Sequence, residues 1–108
     1  MTSPPDDARV AVEEPFGPIV PLLRFREVDE VVCRANASEF GLGSSVWSTD
    51  VEQAKAIGAQ LETGTVWINH VHLPGPRAPF AGPKQSGIGI ENGVEGLLEF
   101  RAIQTLIA

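Results

Sequence analysis

Two stretches of this 108-residue chain carry side chains that could hold a ligand or do chemistry. The first is Glu13-Glu14-Pro15-Phe16-Gly17-Pro18, which sets carboxylates beside an aromatic ring in a turn stiffened by two prolines. A carboxylate can accept both hydroxyls of a ribose, and a ring can pack on a flat heterocycle. The same residues also fit a plain solvated acidic pair ahead of a strand, and composition leaves the two readings even. The second stretch runs from Pro74 to Gly96 and holds ten of the chain's 20 glycines and prolines. Loops of that length are uncommon in compact domains and are often functional.

Other patterns are weaker. His70-x-His72 is half a metal site, but no third ligand follows at a recognisable spacing, so the histidines are expected to line the loop. Gly87-x-Gly89 with Asn92-Gly93 approaches a dinucleotide fingerprint, but the third glycine is one place off and no βαβ unit follows. Helix entry explains it better, with Asn92 as cap and Glu95 three residues on. Gly82-Pro83-Lys84 breaks the Gly-Lys pair that a phosphate loop needs. Cys33 has no activating base or helix N-terminus in view and is expected to be a buried structural thiol.

The elements that must position these residues alternate. Ile19–Phe25 is nearly all apolar and is predicted as a strand, with Pro21 arguing for an edge or bulge. Val28, Val31, Val32 and Ala35 form one helical stripe. Gly43–Ser48 is a second predicted strand. Thr49 or Asp50 caps a helix whose buried face is Val51, Ala54, Ile57 and Leu61, since both Thr49/Glu52 and Asp50/Gln53 have capping-box spacing. Gly64–Asn69 is a third strand, rich in β-branched and aromatic residues. A helix over about Glu91–Phe100 is predicted to bury Val94, Leu97 and Leu98, and Ala102–Ile107 to form a last strand. Residues 1–12 form a flexible arm, with a short strand at Arg9–Val12. The fold class is therefore α/β, a mainly parallel three- to four-stranded sheet with three helices. Parallel sheets need cover on both faces, and three helices cover so many strands incompletely.

Length fits one domain, with roughly 65% of the unfolded surface buried. The 8 basic and 14 acidic residues give a net charge of −6, and the basic ones form no stripe. Nucleic acid and anionic membranes are poor partners for such a chain. One cysteine leaves no internal disulfide. No apolar run reaches the roughly 18 residues of a membrane span, and the first residues lack a signal peptide's blocks. A cytoplasmic protein is expected.

Four ordered motifs carry a resemblance over Asp7–Ala108. Glu13–Pro18 resembles the Glu-(hydrophobic or Pro)-Phe-Gly-Pro motif of the NAD(P)-dependent aldehyde dehydrogenases. Arg34-Ala35-Asn36-x-x-x-Phe40-Gly41-Leu42 resembles their Ala-Asn-x-x-x-Tyr/Phe-Gly-Leu segment. Gly64–Asn69 resembles their Gly-x-Val-x-Val/Ile-Asn strand, and Pro79–Gly89 their Pro-Phe-Gly-Gly-x-Lys-x-Ser-Gly-x-Gly run. The resemblance extends to the C-terminal portion of the catalytic domain only, so residues 13–108 are expected to be a partial catalytic domain ending in an oligomerisation strand. No position matches the family's nucleophilic cysteine, its general base or its cofactor domain.

The resemblance implies that Glu14 holds the nicotinamide ribose of NAD or NADP and that Phe16 packs near the nicotinamide. His72, Pro74 and Phe80 would line the substrate pocket, and Glu91 would serve a proton relay. No catalytic residue and no metal ligand is assigned. Two departures stand out: Ala81 replaces a glycine, and Ile90 replaces the arginine before Glu91. The expectation is a truncated member, inactive alone and weak or absent in cofactor binding. The alternatives are a half that complements a chain carrying the missing part, and a non-enzymatic module that pairs with full-length relatives. Exposed apolar surface predicts self-association, as a homo-oligomer that pairs or swaps edge strands such as Ile103–Ile107.

Overall fold

In a computed structural model of the chain, residues 3–73 and 75–108 are described. The chain divides into two compact units, Met1–Ser38 and Glu39–Ala108. The first holds helices α1 (Arg9–Val12) and α2 (Val28–Asn36). The second holds β1 (Gly43–Val46), α3 (Val51–Gly58), β2 (Thr65–Ile68) and α4 (Gly93–Leu98).

The second unit is built on one βαβ crossover. β1 and β2 pair in parallel, Gly43 opposite Thr65 through Val46 opposite Ile68. Parallel strands need a long connection between them, and α3 supplies it. Asp50 starts α3, its carboxylate accepting from the Gln53 N–H at 3.0 Å, so Asp50 rather than Thr49 is the cap. Ala54 and Gly58 turn inward, and Ala54 is fully buried. Gly58 lies where a methyl group would meet Val66 and Ile68, so the helix seats closely on the even face of β2. Asn69 closes the end of the ladder: its side chain accepts from the Ser48 N–H at 2.8 Å and donates to the Ser48 carbonyl at 2.9 Å.

Among the described residues the sheet has two strands, not the expected three to four. Ile19–Phe25 is no ladder strand. Pro21 removes a donor there, and the segment is held by scattered hydrogen bonds instead of a ladder: the Ser3 N–H reaches the Leu22 carbonyl at 2.6 Å and Arg34 Nη1 the Arg24 carbonyl at 3.1 Å. Arg9–Val12 is a turn of helix rather than a strand: the Glu13 N–H reaches the Arg9 carbonyl at 2.8 Å, and an Arg9–Glu13 ion pair one turn apart supports it. Ala102–Ile107 forms no strand either, because a strand needs a neighbour's backbone edge and none lies beside it among the described residues.

Burial also departs from expectation. Val32 and Ala54 are the buried apolar residues of the described chain. Val94, Leu97 and Leu98 of α4 are exposed, and α4 buries Gly96 instead. Asn92 enters α4 through its carbonyl, which accepts from Gly96 at 3.0 Å, without a side-chain cap. Cys33 is exposed on α2, one position off the stripe, because helix spacing turns it away from Val32. No helix of the described residues is long and apolar enough to cross a membrane.

Candidate functional site

The first unit presents the acidic turn. Glu13 and Glu14 are adjacent but differently occupied. Arg9 Nε and Nη2 each donate to a Glu13 oxygen at 2.9 Å, and this guanidinium holds the Glu13 carboxyl below its usual range. Glu14 has no such engagement among the described residues and is exposed. Phe16 is wholly exposed, with its ring against nothing. Gly17 donates to the Pro15 carbonyl at 2.9 Å, and Ile19 to the Gly17 carbonyl at 2.8 Å, which bends the chain tightly around Phe16. An open carboxylate thus lies two residues from an open ring, which suits a hydroxylated, flat ligand.

The second unit carries the glycine-rich loop. Phe80 and Glu91, eleven positions apart, exchange both backbone hydrogen bonds: Phe80 N–H to Glu91 O at 2.7 Å and Glu91 N–H to Phe80 O at 2.9 Å. Phe80 is half-buried and Glu91 exposed, and both line an open cleft of about 350 Å³. Leu42, Ser86, Ile90 and Glu99 line it as well. The loop around the cleft is tied back at several points. Ser86 Oγ accepts from the Gly41 N–H at 2.6 Å, and the Gln85 N–H reaches the Glu39 carbonyl at 2.9 Å. Lys84 Nζ sits 3.0 Å from a Glu62 oxygen. Gly89, at φ +97°, adopts a backbone that side-chain-bearing residues rarely tolerate, which explains glycine in the cleft lining.

Trp67 organises the aromatic side of this loop. Its ring lies 6.3 Å from His72 and 6.4 Å from Phe80, both tilted, within the range at which aromatic pairs attract. Its indole N–H donates to the Leu73 carbonyl at 3.3 Å. His72 itself is exposed and held at φ +49°. His70 is occupied locally, its Nδ1 accepting from the Val71 N–H at 2.9 Å. Pro74 lies outside the described residues.

Of the expected site residues, the structure thus joins Phe80 with Glu91 through backbone and Phe80 with His72 through Trp67. Glu14 and Phe16 belong to the other unit. Sequence reasoning placed Trp67 in a strand but not at the site. Strand alternation carries the signal: Val66 and Ile68 face α3, so Trp67 faces the other way, toward the loop. Ser86 and its bond to Gly41 span 45 positions, and no local pattern announces them.

The model of the aldehyde dehydrogenase family matches residues 1–106. Aldehyde dehydrogenase LUC3 from a Fusarium species is 48% identical over 94 residues, 87% of this chain and 20% of that protein. Betaine aldehyde dehydrogenase from Brucella anthropi is 43% identical over 106 residues, 98% of this chain and 22% of that protein. The crystal structure of Staphylococcus aureus betaine aldehyde dehydrogenase in complex with NAD+ has a TM-score of 0.87 at 42% identity, covering 92% of this chain and 20% of that one. The chain spans about a fifth of the length of the relatives it matches. With nearly every residue inside the family model and the fold shared, the chain belongs to the aldehyde dehydrogenase family.

Proposed function

We propose that each of the two units carries part of the ligand-binding surface of an aldehyde dehydrogenase, the first for the cofactor and the second for the substrate, and that the 108 residues do not oxidise aldehydes by themselves. In this reading Glu14 accepts the nicotinamide ribose hydroxyls and Phe16 packs near the nicotinamide. His72, Pro74 and Phe80 face the aldehyde, and Glu91 passes a proton at its carboxylate. Bound NAD or NADP would supply the hydride acceptor. The observation that carries the reading is the shared fold with the NAD+-complexed relative over 92% of the chain. The exposed Glu14 carboxylate and the exposed Phe16 ring two residues on would suit a nucleotide of this kind.

Inactivity follows from chemistry. Aldehyde oxidation of this type needs a thiolate to attack the carbonyl. The chain's one cysteine is Cys33, on α2 within the first unit, and it matches no nucleophile motif. The test is purified chain with NAD+ and short aldehydes, followed at the NADH absorbance. No NADH above a boiled control is expected. Turnover that survives Cys33→Ser overturns the proposal, and turnover lost in that variant makes Cys33 the nucleophile and overturns it too.

Self-association belongs to the same reading. Phe100, Ile103, Leu106 and Ile107 are each at least 90% exposed, an apolar tail that water does not favour. Light scattering should show oligomers that grow with concentration. A monodisperse 11.5 kDa species at high concentration contradicts it.

A further inference from the structure

Arg34 has three partners, and they lie on opposite sides of the acidic turn in sequence. Its Nε sits 3.4 Å from an Asp6 oxygen, before the turn. Its Nη1 donates to the Arg24 carbonyl at 3.1 Å, after the turn. Its Nη2 sits 2.6 Å from a Glu30 oxygen one helical turn back on α2. Only about a quarter of the Arg34 side chain is exposed, so these contacts are less screened than those of a free surface pair. A second tie runs alongside, from the Ser3 N–H to the Leu22 carbonyl. Residues 6 to 24 therefore form a loop closed at its base, with α1 and Glu13–Pro18 inside it.

We propose that Arg34 is a positioning residue for the Glu13–Pro18 turn: a single guanidinium fastens both stems of that loop to α2 and so fixes where Glu14 and Phe16 are presented. The ligand roles of Glu14 and Phe16 rest on the function proposed above, but the clasp does not. A planar guanidinium is suited to the task because it offers five donors in fixed directions, whereas an ammonium is a point charge. The Glu30 contact orients the fork. Glu30 is itself fixed by the Arg26 N–H, which donates to its other oxygen at 3.2 Å. With Arg34 anchored to the helix, its remaining faces reach Asp6 and Arg24.

The experiment uses the full chain, labelled with ¹⁵N, and follows the Gly17 and Ile19 amides, whose hydrogen bonds define the turn. Arg34→Ala is expected to shift both signals and to speed their hydrogen exchange roughly three- to tenfold. The Gln53 and Thr65 amides of the other unit stay unchanged. Arg34→Lys keeps the charge and the Glu30 pair but not the fork, so its turn signals lie nearer to those of Arg34→Ala. Turn amides that do not move in Arg34→Ala overturn the proposal. So does full rescue by Arg34→Lys, which would mean that charge alone suffices. Changes spread equally over Gln53 and Thr65 overturn it as well, as a general loss of fold. If Arg34→Ala does not fold, Asp6→Asn decides, because it leaves α2 and its Glu30–Arg34 pair intact. Moved turn amides support the clasp there, and unmoved ones overturn it. Titration of the unmodified chain with NAD+ separates the two ideas, since signal changes that avoid Glu14 and Phe16 count against their ligand roles alone, and the turn amides judge Arg34 whatever the titration gives.

Discussion

Gly64→Ala tests whether the cleft loop is held by close backbone approach. Gly64 immediately precedes β2, and its N–H donates to the Gly41 carbonyl at 2.8 Å. An added Cβ would collide with the Ala81 carbonyl oxygen and lie 2.7 Å from its carbon, with the Gly82 Cα at 3.2 Å. These are backbone atoms, so no side-chain rotation relieves the clash. Overpacking of this kind costs about 1–3 kcal/mol. The backbone at Gly64 is not in the positive-φ region, so alanine adopts it without strain and stiffens the unfolded chain by about 0.4–1 kcal/mol in favour of folding. At the midpoints the net destabilisation is about 1.3 kcal/mol, or roughly ninefold in the local opening equilibrium. Because the clash bears on Ala81 and Gly82, it should appear in the neighbouring Phe80–Glu91 bridge. The assay is hydrogen exchange of the Phe80, Glu91 and Thr65 amides, with Gln53 on α3 as reference. Gly17→Ala is the control, because nothing lies within 4 Å of its added methyl, and it should leave exchange at those sites unchanged. Phe80 and Glu91 rates within twofold of the unmodified chain in Gly64→Ala would refute the account.

Two further outcomes follow from the same geometry. Asp50→Ala removes the α3 cap that accepts from the Gln53 N–H and should cost about 1 kcal/mol, seen as faster exchange at Gln53 and Ala54 and lower helical ellipticity; unchanged ellipticity counts against it. Acid should loosen α1 and α2 together. Glu13 is held below the ordinary value of 4.5 by Arg9, and Glu30 chiefly by the Arg26 N–H. A carboxyl lowered in the folded chain stabilises fully above its unfolded value and loses that contribution as pH falls through the lower, folded one. The amide signals of Val31, Val32 and Glu13 should therefore broaden or shift below about pH 4.5, and Glu30→Gln should flatten the response at α2. An identical acid response in Glu30→Gln would contradict this.

Local chemistry was legible wherever one segment sufficed. Two capping-box spacings, at Thr49 and at Asp50, marked the start of α3 to within a residue, and Val28, Val31, Val32 and Ala35 marked α2 although Ala35 lies exposed, because helix caps and stripes are set within one or two turns. The β-branched and aromatic run Gly64–Asn69 marked β2 for a similar reason. The motif runs around Glu13–Pro18 and Pro79–Gly89 pointed to the family, and the family match agrees. Within the site, Phe80, Glu91 and His72 could be named in advance, but not that backbone pairs the first two or that Trp67 stands between Phe80 and His72.

What the tertiary structure decided was pairing and cover. Ile19–Phe25 and Ala102–Ile107 have strand-like composition, yet a strand is completed by another segment's hydrogen bonds, and among the described residues neither finds a ladder. Cys33, Val94 and Leu97 have the character of buried residues and lie exposed, because burial depends on what packs against a face, not on the face alone. Residue types and spacing thus marked α2, β1, α3 and β2 and the family, but not α1, where Arg9–Val12 reads as a strand and is a turn of helix. Contacts between distant segments, Ser86 to Gly41 and Phe80 to Glu91, were set by the folded chain because hydrogen bonds at such separation leave no period in the sequence.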